Sequence, residues 1–175
     1  NTEMTSLQPV DQTKILSRGE IKTVIADGKR KSKRSKNTRQ NLIVFRLATC
    51  CGLRVSEICG LSLANMKLGG ARPHIHVPKA IGKGSKARKV PLWWDAATLA
   101  ELTAWKAERE AMGAAGADPF VCSLADGAKS STLGKPLDVR NARERFKAAI
   151  KCLGTERQSQ LSIHCGRHSF CSHSL

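Results

Sequence analysis

An α+β domain, mostly helical with one small antiparallel β-hairpin, is the fold class the sequence predicts. Apolar residues recur at helical spacing around Ile21–Ile25, Leu42–Cys50, Leu99–Trp105 and Val139–Ile150. Two short alternating runs, His74–Val77 and Ala87–Leu92, flank a glycine-rich basic stretch and read as paired strands. The order is helices, hairpin, helices, with no internal repeat. At 175 residues the chain is long enough for one domain with a real core.

Charge narrows the partners. Thirty Lys and Arg face 14 Asp and Glu, a formal net charge of +16. That excess points to a polyanion, with nucleic acid leading. A membrane surface fits less well, because no long amphipathic basic helix is present. No apolar run approaches ~18 residues, so no bilayer span is expected, and the N-terminus carries no signal-peptide pattern. Seven cysteines occur without a C-x-x-C pair, which argues for reduced thiols in a cytosolic protein over a disulfide frame or zinc ribbon. His74 with His76, and His164 with His168, lack a cysteine or carboxylate partner, so no metal is expected. Aromatics are only 4% of residues, and tyrosine is absent.

Residues 1–16 are polar and irregular and read as a tail or linker; the domain is taken as 17–175. Ser17 and Glu20 have capping-box spacing, and the helix they open is expected to end at Gly28. Lys29, Arg30, Lys31, Lys33, Arg34 and Lys36 then form a dense basic run. It reads as a solvated loop and as a candidate contact to the DNA backbone, which positions without reading sequence. Asn37 or Thr38 can cap a central helix over Thr38–Cys51, closed by Gly52.

Arg54 sits among apolar residues at the start of the next helix, with Glu57 three positions on. An arginine so near a core needs a partner. The pair is either a structural ion pair or a brace for an arginine that grips phosphate. In the hairpin, Lys83 lies at the tip, and Lys86 and Arg88 beside it are further candidate contacts to the DNA backbone. Asp95 caps a helix Ala96–Met112, in which Trp105 packs inward. Pro119–Ser123 reads as a short apolar strand or extended piece. Asp138 caps Val139–Cys152, and Arg157 and Gln158 lie in the loop that follows. In Leu161–Leu175, His164 and Arg167 are i and i+3 on one helix face. Two adjacent cations make sense around an anion, and a guanidinium fork matches phosphate oxygens. A solvated basic face is the alternative for this stretch alone.

Three motifs, Gly-Leu-Arg54-x-Ser-Glu57, Gly-Lys83-Gly-Ser-Lys and His164-x-x-Arg167-His168-Ser-Phe, resemble in order and context the catalytic domain of the tyrosine recombinases, or phage integrase family. The resemblance covers about Ser17 to Leu175. It implies that Arg54 and Arg167 clamp the scissile DNA phosphate, that Lys83 protonates the departing 5′-oxygen, and that His164 assists proton transfer. Glu57 would support the first arginine, and His168 is taken as structural. The implied reaction is DNA cleavage by a tyrosine through a 3′-phosphotyrosine, then strand exchange, with no cofactor or metal. The implied partner is double-stranded DNA, bound by a homotetramer when the protein is full length, with a monomer left open for this chain. A prokaryotic, cytoplasmic, nucleoid-associated setting follows. The nucleophile departs from the pattern: the chain ends eight residues after Arg167 and has no tyrosine. Truncation before the final helices is the expected cause, and a basic DNA-binding module with a degenerate site is the alternative. An RNA-binding protein would leave Arg54, Lys83, His164 and Arg167 unexplained.

Overall fold

Helix α2 (Lys36–Thr49) is the element around which the others pack. The computed structural model describes residues 11–82, 84 and 86–173. Leu42, Ile43, Val44, Phe45, Leu47 and Ala48 are all buried, as befits a helix apolar around most of its surface. Helices α1 (Arg18–Ser32), α5 (Val139–Ile150) and α7 (Ile163–His173) lie against it. The rings of Phe45 and Phe146 stack at 5.6 Å across the α2–α5 seam. Each such buried side chain contributes about 2–3 kcal/mol, so α2 anchors whatever is mounted on α7.

The expected capping box opens α1: Ser17 Oγ accepts the Glu20 N–H and Glu20 Oε1 accepts the Ser17 N–H, both at 3.0 Å. The helix does not end at Gly28. It continues to Ser32, so Lys29, Arg30 and Lys31 are helical and not in a loop. Asp27 reaches Arg30 and Lys31, each at 2.9 Å, one turn on. Gly28 is kept for space, since a Cβ there would stand 3.0 Å from Leu42 Cδ1. Ser35, not Asn37 or Thr38, caps α2, accepting the Thr38 N–H at 3.2 Å. The linker between the helices is therefore only a turn.

Helix α3 (Val55–Gly60) leads to a three-stranded antiparallel sheet in the order β1-β2-β3. β2 (His74–Val77) and β3 (Arg88–Pro91) form the expected hairpin, with Ile75 opposite Val90 and Val77 opposite Arg88. β1 (Met66–Lys67) was not expected, because two residues are too few to show alternation. Met66, Ile75, Val77 and Val90 are buried and lay one face of the sheet on the core.

Asp95 caps α4 (Ala96–Ala111) as expected. Leu102 and Trp105 are buried, and the indole N–H donates to the Phe120 carbonyl at 2.8 Å, so Trp105 is a packing residue. Pro119–Ser123 is the extended piece, with isolated bridges from Pro119 to Ser62 and from Cys122 to Pro136, and not a strand of the sheet. Gln40 of α2 bonds both the carbonyl (2.7 Å) and the N–H (2.9 Å) of Cys122, supplying what a neighbouring strand would have given. Asp138 caps α5, which ends at Ile150 in a 3-10 turn, Lys151–Leu153, short of the expected Cys152.

Arg157 and Gln158, expected in a loop, lie in α6 (Thr155–Gln160). Arg157 bonds Glu20 at 2.7 Å and the Ile15 carbonyl at 2.6 Å. Ile15 and Leu16 are themselves buried, so the packed body reaches back past Ser17. Burial pushes the thiols of Cys50, Cys51, Cys122 and Cys152 up, and that of Cys59 to about 11, which leaves them weak nucleophiles.

Candidate phosphate site

Arg54 is the N-cap of α3, in extended conformation. Its backbone N–H donates to Glu57 Oε1 at 2.9 Å, so the residue is pinned through its main chain. Arg54 is half-buried, and among the described residues no hydrogen bond or close ion pair takes its guanidinium. The guanidinium that Glu57 holds is that of Arg88: Nη2 donates to Oε1 at 2.8 Å and Nη1 donates to Oε2. The expected brace between the Glu57 and Arg54 side chains is thus replaced by a brace to the strand. Adjacent positions in a helix start suggested the first pairing; the fold supplies a better-aligned fork from β3.

Burial pushes the fully buried Glu57 carboxyl up, but the Arg88 hydrogen bonds, the Arg54 N–H and both positive charges outweigh it and hold the carboxyl below its ordinary value. The same hydrogen bonding raises Arg88.

Arg167 reaches this corner from α7. Its Nη1 donates to the Gly52 carbonyl at 2.5 Å, two residues before Arg54. Gly52 has φ +68 and lies against the Phe170 ring. The Gly52–Arg54 segment therefore joins the two arginines: one hangs on its carbonyl, the other projects from its end. His164 is exposed one turn before Arg167, and its ring lies 6.5 Å from that of His168. The two histidines share a hollow of about 460 Å³ with Asp11, Lys14, Ile15, Ser162 and Cys165. His168, expected as structural, is exposed. The buried polar group of this turn is its neighbour Ser169, which accepts the Leu16 N–H at 2.8 Å and donates to the Cys165 carbonyl at 2.6 Å. Its small size gave no sign in the sequence that it ties the start of the domain to α7. Lys83 lies outside the described residues.

The basic run is exposed but partly neutralised. Lys29 pairs with Glu101 at 3.7 Å and Lys36 with Glu108 at 3.8 Å, while Asp27 takes Arg30 and Lys31. Among the described residues, Lys33, Arg34 and Lys86 have no such pair, and all three are exposed. No group of three or more His, Cys, Asp and Glu side chains among the described residues could hold a metal ion. A hollow of about 690 Å³ lies against Trp94 and Phe170, and its lining does not include Arg54. Among the described residues, no helix is long and apolar enough to cross a membrane.

This mostly helical body, with a three-stranded sheet and two arginines brought together at a helix start, has the catalytic-domain fold of the tyrosine recombinases. The chain belongs to the phage integrase family, which it matches over residues 14–175. It is 33% identical over 127 residues to the tyrosine recombinase XerD of Pseudomonas aeruginosa, covering 71% of this chain and 37% of that protein. XerC of Ralstonia pickettii is 31% identical over 144 residues, with coverage of 79% and 42%. The chain thus spans about two fifths of the length of these curated relatives. Among solved structures, it resembles the XerH site-specific recombinase bound to a palindromic difH substrate, with TM-score 0.60, 21% identity and coverage of 90% and 41%. It also resembles the Tn1549 transposon integrase in complex with transposon right end DNA, with TM-score 0.55, 16% identity and coverage of 95% and 55%.

Proposed function

We propose that this chain is the phosphate-binding part of a DNA site-specific recombinase. Arg54 and Arg167 grip the two non-bridging oxygens of the scissile phosphate in double-stranded DNA and stabilise the extra charge of the pentavalent transition state. A tyrosine hydroxyl attacks phosphorus, the bond to the 5′-oxygen breaks, and a 3′-phosphotyrosine forms. Lys83 delivers the proton to the departing oxygen, and His164 assists proton transfer at the attacking one. Religation reverses these steps, so phosphodiester energy is conserved and no cofactor is used. The assignment of Lys83 and His164 rests on their places in the family motifs. The observation that carries the reading is the Gly52–Arg54 segment, which holds Arg167 by its carbonyl while, among the described residues, no carboxylate is hydrogen-bonded to the Arg54 guanidinium. The complete protein would act as a homotetramer on DNA, in the bacterial cytoplasm with the nucleoid.

The chain has no tyrosine, so it binds DNA without forming a covalent bond to it. A suicide substrate, nicked so that cleavage cannot reverse, tests this: no protein–DNA adduct is expected, and an adduct formed by this chain alone refutes the reading. Binding should fall by about 10³-fold between roughly 50 and 200 mM salt, as expected when some six phosphates are neutralised. Salt-independent affinity would contradict an electrostatic interface. The missing tyrosine also favours a second reading, a DNA-binding module without catalysis. Introducing Arg54→Ala or Arg167→Ala into a tyrosine-bearing form separates the two. Cleavage should fall by about 10²–10³-fold for each lost phosphate ligand, with DNA affinity changing far less. A loss of binding with unchanged cleavage per bound complex assigns the arginines to the interface alone.

A further inference from the structure

The geometry points to Arg88 as a positioning residue of the phosphate site, one that keeps Glu57 off Arg54, and not as a DNA ligand. This rests on the reading of Arg54 as a phosphate ligand. Glu57 is fully buried and charged, which demands a compensating cation. Two guanidiniums are near enough to act on it, those of Arg88 and Arg54. Arg88 wins through geometry. Its two terminal nitrogens meet the two carboxylate oxygens as a fork, the arrangement that gives arginine its advantage with carboxylates. Its Cα is fixed opposite Val77 in the β2–β3 ladder, so the fork is presented by a sheet and not by a loop.

The consequence falls on Arg54. Glu57 takes only the Arg54 main-chain N–H, which orients the residue, while its charge is spent on Arg88. Without Arg88 the buried carboxylate would have, among the described residues, one cation within reach, the Arg54 guanidinium, and would compete with phosphate for it. Arg88 thus holds the α3 cap against the sheet and keeps the Arg54 head available. Its own head is committed to Glu57 and only 34% exposed.

The test uses inorganic phosphate as the probe and the Nε–Hε NMR signals of Arg54 and Arg167 as the readout, with melting curves confirming that each variant is folded. Arg88→Ala should weaken phosphate binding at Arg54 by roughly tenfold, the scale of one lost charged hydrogen bond. Arg88→Lys should recover part of it. Arg88→Ala combined with Glu57→Gln should return affinity to near the starting value, because the competing charge is gone. Unchanged affinity in Arg88→Ala overturns the proposal, and so does a double variant as weak as Arg88→Ala, which would make Arg88 a ligand in its own right. A second measurement needs no phosphate. Solvent exchange of the Arg54 Hε should slow in Arg88→Ala, where Glu57 captures it, and not in the double variant; exchange that stays fast in Arg88→Ala also overturns the proposal. If the unsubstituted chain shows no phosphate response at Arg54 and Arg167, the phosphate reading falls, and the exchange measurement still decides the role of Arg88.

Discussion

Gly52→Ala should melt about 10 °C below the unsubstituted chain and lose phosphate binding at Arg167. Two separate costs meet at this residue. Its φ of +68 lies in the left-handed region, where an alanine costs about 1–2 kcal/mol. An added Cβ would also stand 2.8 Å from Phe170 Cε1, inside contact distance, and forcing a methyl into a packed site costs about 1–3 kcal/mol more. Together these give about 2–5 kcal/mol, with a midpoint of about 3.5, at roughly 3 °C per kcal/mol for a chain of this size. Relief of the clash requires α7 to move away from α2, and α7 carries Arg167, whose acceptor is the Gly52 carbonyl. Gly113→Ala is the control. Gly113 has φ +90 but open space around its Cα, so only the backbone cost applies and the drop should be about a third as large. Equal drops in the two variants would show that the Phe170 contact does not seat α7.

What the sequence made legible was local, and what it hid was tertiary. The Ser17–Glu20 box and the Asp95 and Asp138 caps are written in residues three apart, so spacing alone revealed them. The β2–β3 hairpin was visible because its two strands flank one turn. Arg54 stood out because a guanidinium among apolar residues needs a reason, and Arg167 because a helix face shared with His164 suits an anion. The partner of Glu57 did not stand out: Arg88 is 31 positions away, and the nearer Arg54 offered a plausible but mistaken side-chain pairing. The overrun of α1 was hidden for a similar reason. Gly28 reads as a stop until Leu42 of another helix is seen to need its space. Arg46 escaped notice entirely. It is buried in α2, bonded to Thr98 Oγ1 at 2.8 Å, which in turn donates to Asp95 Oδ2 at 2.7 Å. The cap of α4 therefore also supports a cation in the core, a link no helical pattern could announce.

Arg88→Ala should shrink the contribution of one acid titration to stability. In the unsubstituted chain the Glu57 carboxyl is held below its ordinary value of 4.5, so the folded state binds fewer protons than the unfolded state. Its contribution to stability is present above pH 4.5 and is lost as pH falls through the folded value. Glu20, held down first by its Arg157 hydrogen bonds, has the same sign. Asp27 is also net lowered: burial pushes it up, but Lys31 and Arg30 outweigh this. Removing Arg88 takes away hydrogen bonds and a charge that hold Glu57 down; the Arg54 N–H and the Arg54 guanidinium that Glu57 then captures replace them only in part, so the folded carboxyl rises relative to the unsubstituted chain. Its stabilising contribution above pH 4.5 is correspondingly smaller, and less of it is lost on acidification. Glu20 and Asp27 are unchanged in the variant and cancel in the comparison. The gap in melting temperature between the two proteins should therefore be small near pH 4 and widen toward pH 7. Breaking a fully buried pair costs about 3–5 kcal/mol. The Arg88 head is 34% exposed, so water screens part of the interaction. A gap of about 2 kcal/mol, or roughly 6 °C, is expected at neutral pH. Glu57→Gln in the same background removes the titrating group and should close most of the neutral-pH gap. A gap equally wide at pH 4 and pH 7 would mean that Arg88 stabilises the domain by packing alone, with no charge on Glu57 to hold.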